Sequence, residues 1–131
     1  MNTERNVVLL MTKAAESLGA AAELIEGRHW GFSASRSYYG MFYAAEAVLL
    51  ERGMQFRKHS AVISHFNKAF IKAGIIPTEA SKWFQKASDL RRQGDYGTVP
   101  VAEEEARKTL AEARQFVSLV SAHLRDHGYD L

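Results

Sequence analysis

Apolar side chains recur at intervals of three and four along most of this chain, and that spacing predicts helices almost throughout. A first helix is expected over about Thr3 to Gly27, with Val7, Leu10, Met11, Ala14, Leu18, Ala21, Ala22 and Ile25 on one stripe. A break at Gly27 to Gly31 precedes a second helix from about Ser33 to Glu51, ended by Gly53. Here Tyr38, Phe42, Ala45 and Leu49 form one stripe, Tyr39, Tyr43 and Leu50 a second, and Met41 and Val48 face a third way. A helix apolar nearly all round is either central in a bundle or part of an interface between copies. A third helix, about Ser60 to Ala73, turns Val62, Ile63, Phe66, Ala69 and Phe70 inward and is closed by Gly74. Pro77 opens a fourth, where its missing N–H would be unpaired anyway. Ala80, Trp83, Phe84, Ala87 and Leu90 share one face of it, and Gly94 and Gly97 are expected to interrupt it. A fifth follows Pro100 and reaches about Arg125, on the stripe Ala102, Ala106, Leu110, Ala113, Phe116, Val117, Val120 and Leu124. Glu103, Glu104 and Glu105 at its start and Arg125 and His127 at its end suit the helix dipole, although no side chain suited to capping precedes it. No strand pattern and no internal repeat appears. Short connections favour antiparallel neighbours, so the expected fold is all-α: an up-and-down antiparallel bundle of four main helices plus one short helix, in a single domain over residues 1–131.

Composition narrows the function classes. At 131 residues the chain suits one domain with its own core. It has no cysteine, which excludes a disulfide scaffold, a thiolate metal site and a cysteine nucleophile. A formal charge of +2 is too mild to argue for nucleic acid by itself. The longest apolar run, Tyr38 to Leu50, is broken by Glu46 and is too short for a membrane span. The polar N-terminus lacks the pattern of a targeting signal. A cytoplasmic protein with no membrane partner is expected.

Several catalytic signatures are missing: there is no Gly-rich phosphate loop, no HExxH and no G-x-S-x-G elbow. A di-iron bundle needs two Glu-x-x-His pairs on helices. The one such spacing, Glu26 and His29, straddles the break at Gly27. His123 and His127 lie four apart near a helix end and read as a solvated pair rather than as ligands. No metal and no cofactor is expected.

The informative segment runs from Asp89 to Tyr96. At about 100° per residue, Arg91 falls about 20° from Ala80, in the middle of the apolar stripe, whereas Arg92 falls about 120° away. Arg91 should therefore point toward the core or a helix-lined cleft, where an unpaired guanidinium is costly. Two partners suit it: Asp95, four residues on, or an anion such as a phosphate. Arg57, Lys58 and His59 at the start of the third helix offer a second basic cluster, which either is a solvated loop or helps hold a phosphate. Arg36, ahead of the aromatic run, either faces solvent or joins Arg91 in a basic cleft.

The phrase from Ser35 to Glu46, Ser-Arg-Ser-Tyr-Tyr-Gly-Met-Phe-Tyr-Ala-Ala-Glu, resembles the second helix of HEPN-domain proteins. So do Lys58 to Phe66, then Asp89-Leu90-Arg91 and Asp95-Tyr96, in the same order. The resemblance covers about Val7 to Val120 and is to the small, stand-alone prokaryotic branch. It implies a helical bundle that forms a homodimer. It also implies a minimal nucleotidyltransferase as partner, in a toxin–antitoxin-like pair, and RNA or a nucleotide as ligand. Many members are metal-independent ribonucleases whose motif is an Arg, four to six intervening residues and a His; some are silenced by nucleotide addition to a nearby Tyr. Arg91 matches the motif Arg. Tyr96 stands where the His could first fall, and Gly97 and Thr98 follow, so no His lies in the window. A Tyr, with its pKa near 10, is a poorer base at neutral pH than a His near 6.5.

Three functions follow as expectations. One is a phosphate-binding partner of a nucleotidyltransferase, with Arg91 aided by Arg92, Arg36, Lys58 or His59. Another is an endoribonuclease toxin using Arg91, Asp95 and Tyr96, in which His59 or Asp95 could supply the missing base. The third is a structural dimer in which Arg91 only pairs with Asp95.

Overall fold

The computed structural model describes residues 2–131. Five α-helices account for most of the described residues, and none of those residues is in a strand: α1 (Thr3–Glu26), α2 (Trp30–Glu51), α3 (His59–Phe66), α4 (Thr78–Tyr96) and α5 (Glu103–Asp126). A π turn, Asn67–Ile71, continues α3. No helix among them is long and apolar enough to cross a membrane.

The break between α1 and α2 is shorter than the two glycines suggest. It is made by Arg28, which takes the left-handed conformation (φ 63°), while Gly27 stays right-handed. α2 therefore starts at Trp30, ahead of Ser33. Ser33 is not a cap: it is buried, and its hydroxyl donates to the Ala21 carbonyl of α1 at 2.8 Å. Ser17 donates back to the Arg36 carbonyl at 2.7 Å, so two buried hydroxyls join α1 to α2. Gly40 lets these helices approach, since a Cβ there would lie 2.5 Å from Leu18 Cδ2.

α2 is the central element, packed by α1, α4, α5 and α3. Its many apolar directions are thus used within one chain. They meet one main core, where Phe66, Phe84 and Phe116 pack with centroids 5.1–5.9 Å apart. A smaller cluster around Ile25, Ala34, Leu90 and Leu110 closes the other end.

Two further boundaries depart from the pattern. Gly94 does not interrupt α4, which runs on to Tyr96. Its missing side chain instead faces the Cα and carbonyl of Gly31, where an added Cβ would sit at 3.5 Å. The third helix is α-helical only to Phe66, after which the Lys72 N–H reaches back to the Asn67 carbonyl at 2.8 Å. α5 has no side-chain acceptor at its N-cap, Ala102; Glu105 reaches back instead to accept from the Ala102 N–H at 3.1 Å.

Candidate functional site

A groove of about 430 Å³ is lined by α3 and its π turn on one side and by α4 on the other. On one side α3 and the π turn present Ser60, Ser64 and Asn67 at helical spacing beside Ile63, and on the other α4 presents Gln85, Ser88 and Arg92. His59 and Arg91 line the same groove.

Arg91 is inward, as the helical wheel requires. Its side chain is 17% exposed, against 57% for Arg92, which pairs on the surface with Asp89 at 2.7 Å. The Arg91 guanidinium sits 5.0 Å from the Tyr38 ring centre and 5.9 Å from that of Tyr39, both on α2. Its carboxylate neighbour, Asp95, is 3.6 Å away, an ion contact too long for a hydrogen bond. Arg91 Nε is buried with no hydrogen-bond partner in the protein. Aromatic faces and one loose carboxylate leave this cation under-satisfied, a state that is costly unless an anion completes it.

His59, the first residue of α3, stacks on Phe42 with centroids 4.1 Å apart. Its Nδ1 is 2.8 Å from the hydroxyl of Tyr38, a fully buried residue. Burial pushes the Tyr38 phenol up to about 12, although the Arg91 charge pulls the other way. The phenol therefore stays protonated. Burial and then the Arg91 charge push His59 below the usual histidine range, which keeps it neutral at pH 7. With Nδ1 engaged, Nε2 is the nitrogen left for a ligand. The tautomer that donates to Tyr38 leaves a lone pair there, and the other leaves an N–H.

The structure spreads the remaining candidates around this centre. Arg36 lies over the Tyr39 ring at 4.6 Å, so it shares that ring with Arg91. Lys58 is exposed at the N-cap of α3, next to His59. Tyr96 is 81% exposed, in contrast with the inward Arg91. The His123–His127 pair is not fully solvated: His123 Nε2 is buried, its ring meets Phe70 edge-on, and His127 Nδ1 lies 2.9 Å from the His123 carbonyl. Glu26 and His29 fall on opposite sides of the α1–α2 turn.

Sequence reasoning missed the two polar walls and the role of Tyr38. A signal was present for the walls. Ser60, Ser64 and Asn67 recur at four and three, and Gln85, Ser88 and Arg92 at three and four, each a polar stripe beside an apolar one.

The HEPN domain family model matches residues 7–123. A UPF0332 protein of Thermotoga maritima is 32% identical over 115 residues, 87% of each chain. The protein named "Putative toxin MJ0142", from Methanocaldococcus jannaschii, is 33% identical over 122 residues, 92% of this chain and 83% of that one. Among solved structures, the crystal structure of TT1696 from Thermus thermophilus shares the fold, with a TM-score of 0.74 over 93% of this chain and 98% of that one at 15% identity.

Proposed function

The chain belongs to the HEPN domain family, and from that premise we propose that it is the HEPN member of a toxin–antitoxin-like pair, holding RNA phosphate in the α3–α4 groove beside a minimal nucleotidyltransferase. Two relatives of similar length carry the word toxin in their names, which supports the toxin-like part of the reading. One observation carries the phosphate part. Arg91 is largely buried, its Nε has no partner, and Asp95 stays at 3.6 Å. A phosphate oxygen would supply the charge-assisted hydrogen bonds the guanidinium lacks. Arg92 and His59 line the same groove, Lys58 precedes His59 at the N-cap of α3, and Arg36 shares the Tyr39 ring with Arg91.

A homodimer is part of the proposal. Phe32 and Val99, 67% and 65% exposed, line a second hollow of about 350 Å³ between the start of α2 and the α4–α5 loop, an apolar surface of the kind a second copy would cover. Tyr96, exposed at the end of α4 next to that loop, is the residue a partner nucleotidyltransferase could reach.

A second reading, metal-independent RNA cleavage, is favoured by His59. This neutral imidazole lines the groove with Arg91, whereas Tyr96 points to solvent. His59 would take the proton of a ribose 2′-hydroxyl as its oxygen attacks the adjacent phosphorus. Arg91 would hold the charge on the five-coordinate intermediate, and as the P–O5′ bond breaks the 5′-oxygen would take the proton that His59 now carries, giving a cyclic phosphate end and a 5′-hydroxyl end and restoring the neutral imidazole.

The test is single-stranded RNA in the presence of chelator. Arg91→Ala should weaken binding by about tenfold or more, the loss of one charge-assisted contact. Cleavage, where it occurs, should vanish in both Arg91→Ala and His59→Gln. RNA that neither binds nor is cut contradicts the proposal. After co-expression with a nucleotidyltransferase, a nucleotide mass on Tyr96 supports the pairing, and an unmodified Tyr96 counts against it.

A further inference from the structure

Glu46 is a half-buried carboxylate on α2, the central helix. Three ion pairs form among the described residues, Arg91–Asp95, Arg92–Asp89 and Arg107–Glu103, and Glu46 is in none of them. Ser33 and Tyr38 supply the side-chain hydrogen bonds of α2, and Glu46 supplies none. The side-chain atoms that are both unpaired and closed to water belong to Ser37, Asn67, Arg91 and His123, so the Glu46 oxygens stay open to solvent. Lys13 of α1 is the cation whose charge reaches this carboxyl, yet its ammonium is held over the Tyr43 ring, 4.7 Å from the centre. Burial pushes the Glu46 carboxyl above the ordinary carboxylate range, and Lys13 offsets that only in part. A carboxylate in this setting is short of a partner.

Glu46 lines a narrow hollow of about 80 Å³ at the corner of α1, α2 and α3. Leu10, Leu49, Met54, Phe56 and Val62 give it apolar walls. The loop that closes it has a set shape. Gly53 turns the chain in the left-handed conformation (φ 77°), the Met54 N–H donates to the Leu49 carbonyl at 3.0 Å, and Phe56 stacks on His65 with centroids 4.0 Å apart. Apolar walls with a single placed polar group are the usual make-up of a small-ligand pocket. This hollow and the α3–α4 groove share no lining residue: α3 turns Val62 to one and Ile63 to the other.

We propose that this hollow binds a primary alkylammonium group, its short stem against Leu49, Met54, Phe56 and Val62 and its ammonium on the Glu46 carboxylate. The inference is independent of the phosphate reading above. Size and charge choose the ligand. The volume equals that of about three waters in the liquid, enough for a stem of about four carbons that reaches out through the mouth and too little for an aromatic ring or a base. An anion would be repelled by Glu46, and a neutral alcohol would bring no charge to it. A compact ammonium suits the narrow space better than a planar guanidinium. Because the Glu46 oxygens stay open to water, the ammonium keeps part of its hydration and avoids the cost of full burial. The same chemistry has two sources, a free small amine and the lysine side chain of a partner protein.

The experiment titrates the full chain with n-butylammonium at neutral pH and constant ionic strength, and follows the methyl signals of Leu49, Met54 and Val62 by NMR. 1-Butanol and butyrate are the uncharged and the oppositely charged controls. Butylammonium should shift these signals saturably and bind about tenfold tighter than 1-butanol, the worth of one charge-assisted hydrogen bond. Butyrate should not bind. Glu46→Gln keeps the shape of the side chain and should remove the tenfold preference while leaving 1-butanol unchanged. Glu46→Asp keeps the charge on a shorter arm and should retain part of the preference. Nα-acetyl-lysine methylamide separates the sources: binding as tight as butylammonium supports the proposal with a protein lysine as ligand, and binding of butylammonium alone supports it with a free amine. No saturable shift with either amine overturns the inference, as does 1-butanol binding as tightly as butylammonium. A preference for the amine that survives Glu46→Gln overturns it as well.

Discussion

A guanidinium and an imidazole face one groove, both largely shielded from water, and both are held by aromatic rings of α2. His59 carries a pH signature. Its folded pKa is lowered, and so is that of His123, chiefly by burial in both cases. A lowered histidine binds fewer protons folded than unfolded, so stability should be full above the unfolded value near 6.5 and fall as pH drops below it. Melting curves from about pH 8 to about pH 5 should show a declining Tm over the acid half, and His59→Gln should flatten part of it; a Tm independent of pH contradicts this assignment. Tyr38→Phe removes the hydroxyl that engages Nδ1 and should cost about 1 kcal/mol in denaturant unfolding. Arg91 was legible from sequence because a helical period assigns each position a direction. The Tyr38–His59 bond was not, because 21 residues separate its partners and only packing brings them together.

Two glycines on different helices test how the elements meet. A Cβ at Gly40 would lie 2.5 Å from Leu18 Cδ2 and 3.0 Å from Leu18 Cγ, in the middle of the α1–α2 contact. Gly40→Ala should therefore cost about 1–3 kcal/mol through overpacking. A Cβ at Gly94 meets nothing nearer than 3.5 Å, and α4 is regular there. Gly94→Ala should be neutral or stabilise by up to about 1 kcal/mol, the helix preference of Ala over Gly. Urea titration of the two variants decides it, and equal losses would contradict the helix contacts described. The same glycine shows where local rules stop. Its low helix propensity suggested a break, but α4 continues through it to Tyr96, with Gly31 at ordinary contact distance. The π turn after Phe66 was equally hidden, because one extra residue in a turn leaves the apolar spacing nearly unchanged.

Across the whole molecule the all-α bundle was readable because its helices are long and strongly striped, and one central helix collects the stripes. Phe84 links core and site: its ring packs on Tyr38, Phe66 and Phe116, and Tyr38 in turn supports Arg91 and His59. Phe84→Ala should cost about 3–5 kcal/mol in urea unfolding and loosen RNA binding with it; a loss below about 1 kcal/mol would deny it that central place. The three apolar stripes of α2 read from the sequence are consumed within the chain, whereas the exposed Phe32, on the first turn of α2, and Val99 line a separate hollow.

The central claim is that Arg91 is set for a phosphate rather than for Asp95. A thermal melt of Arg91→Met with and without a single-stranded RNA oligomer separates the two. If the buried cation is waiting for an anion, the apolar replacement should melt at or above the wild-type temperature and lose the upward shift that RNA gives the wild type. A lower melting temperature with the RNA shift intact would make Arg91 a structural ion-pair residue and contradict the account.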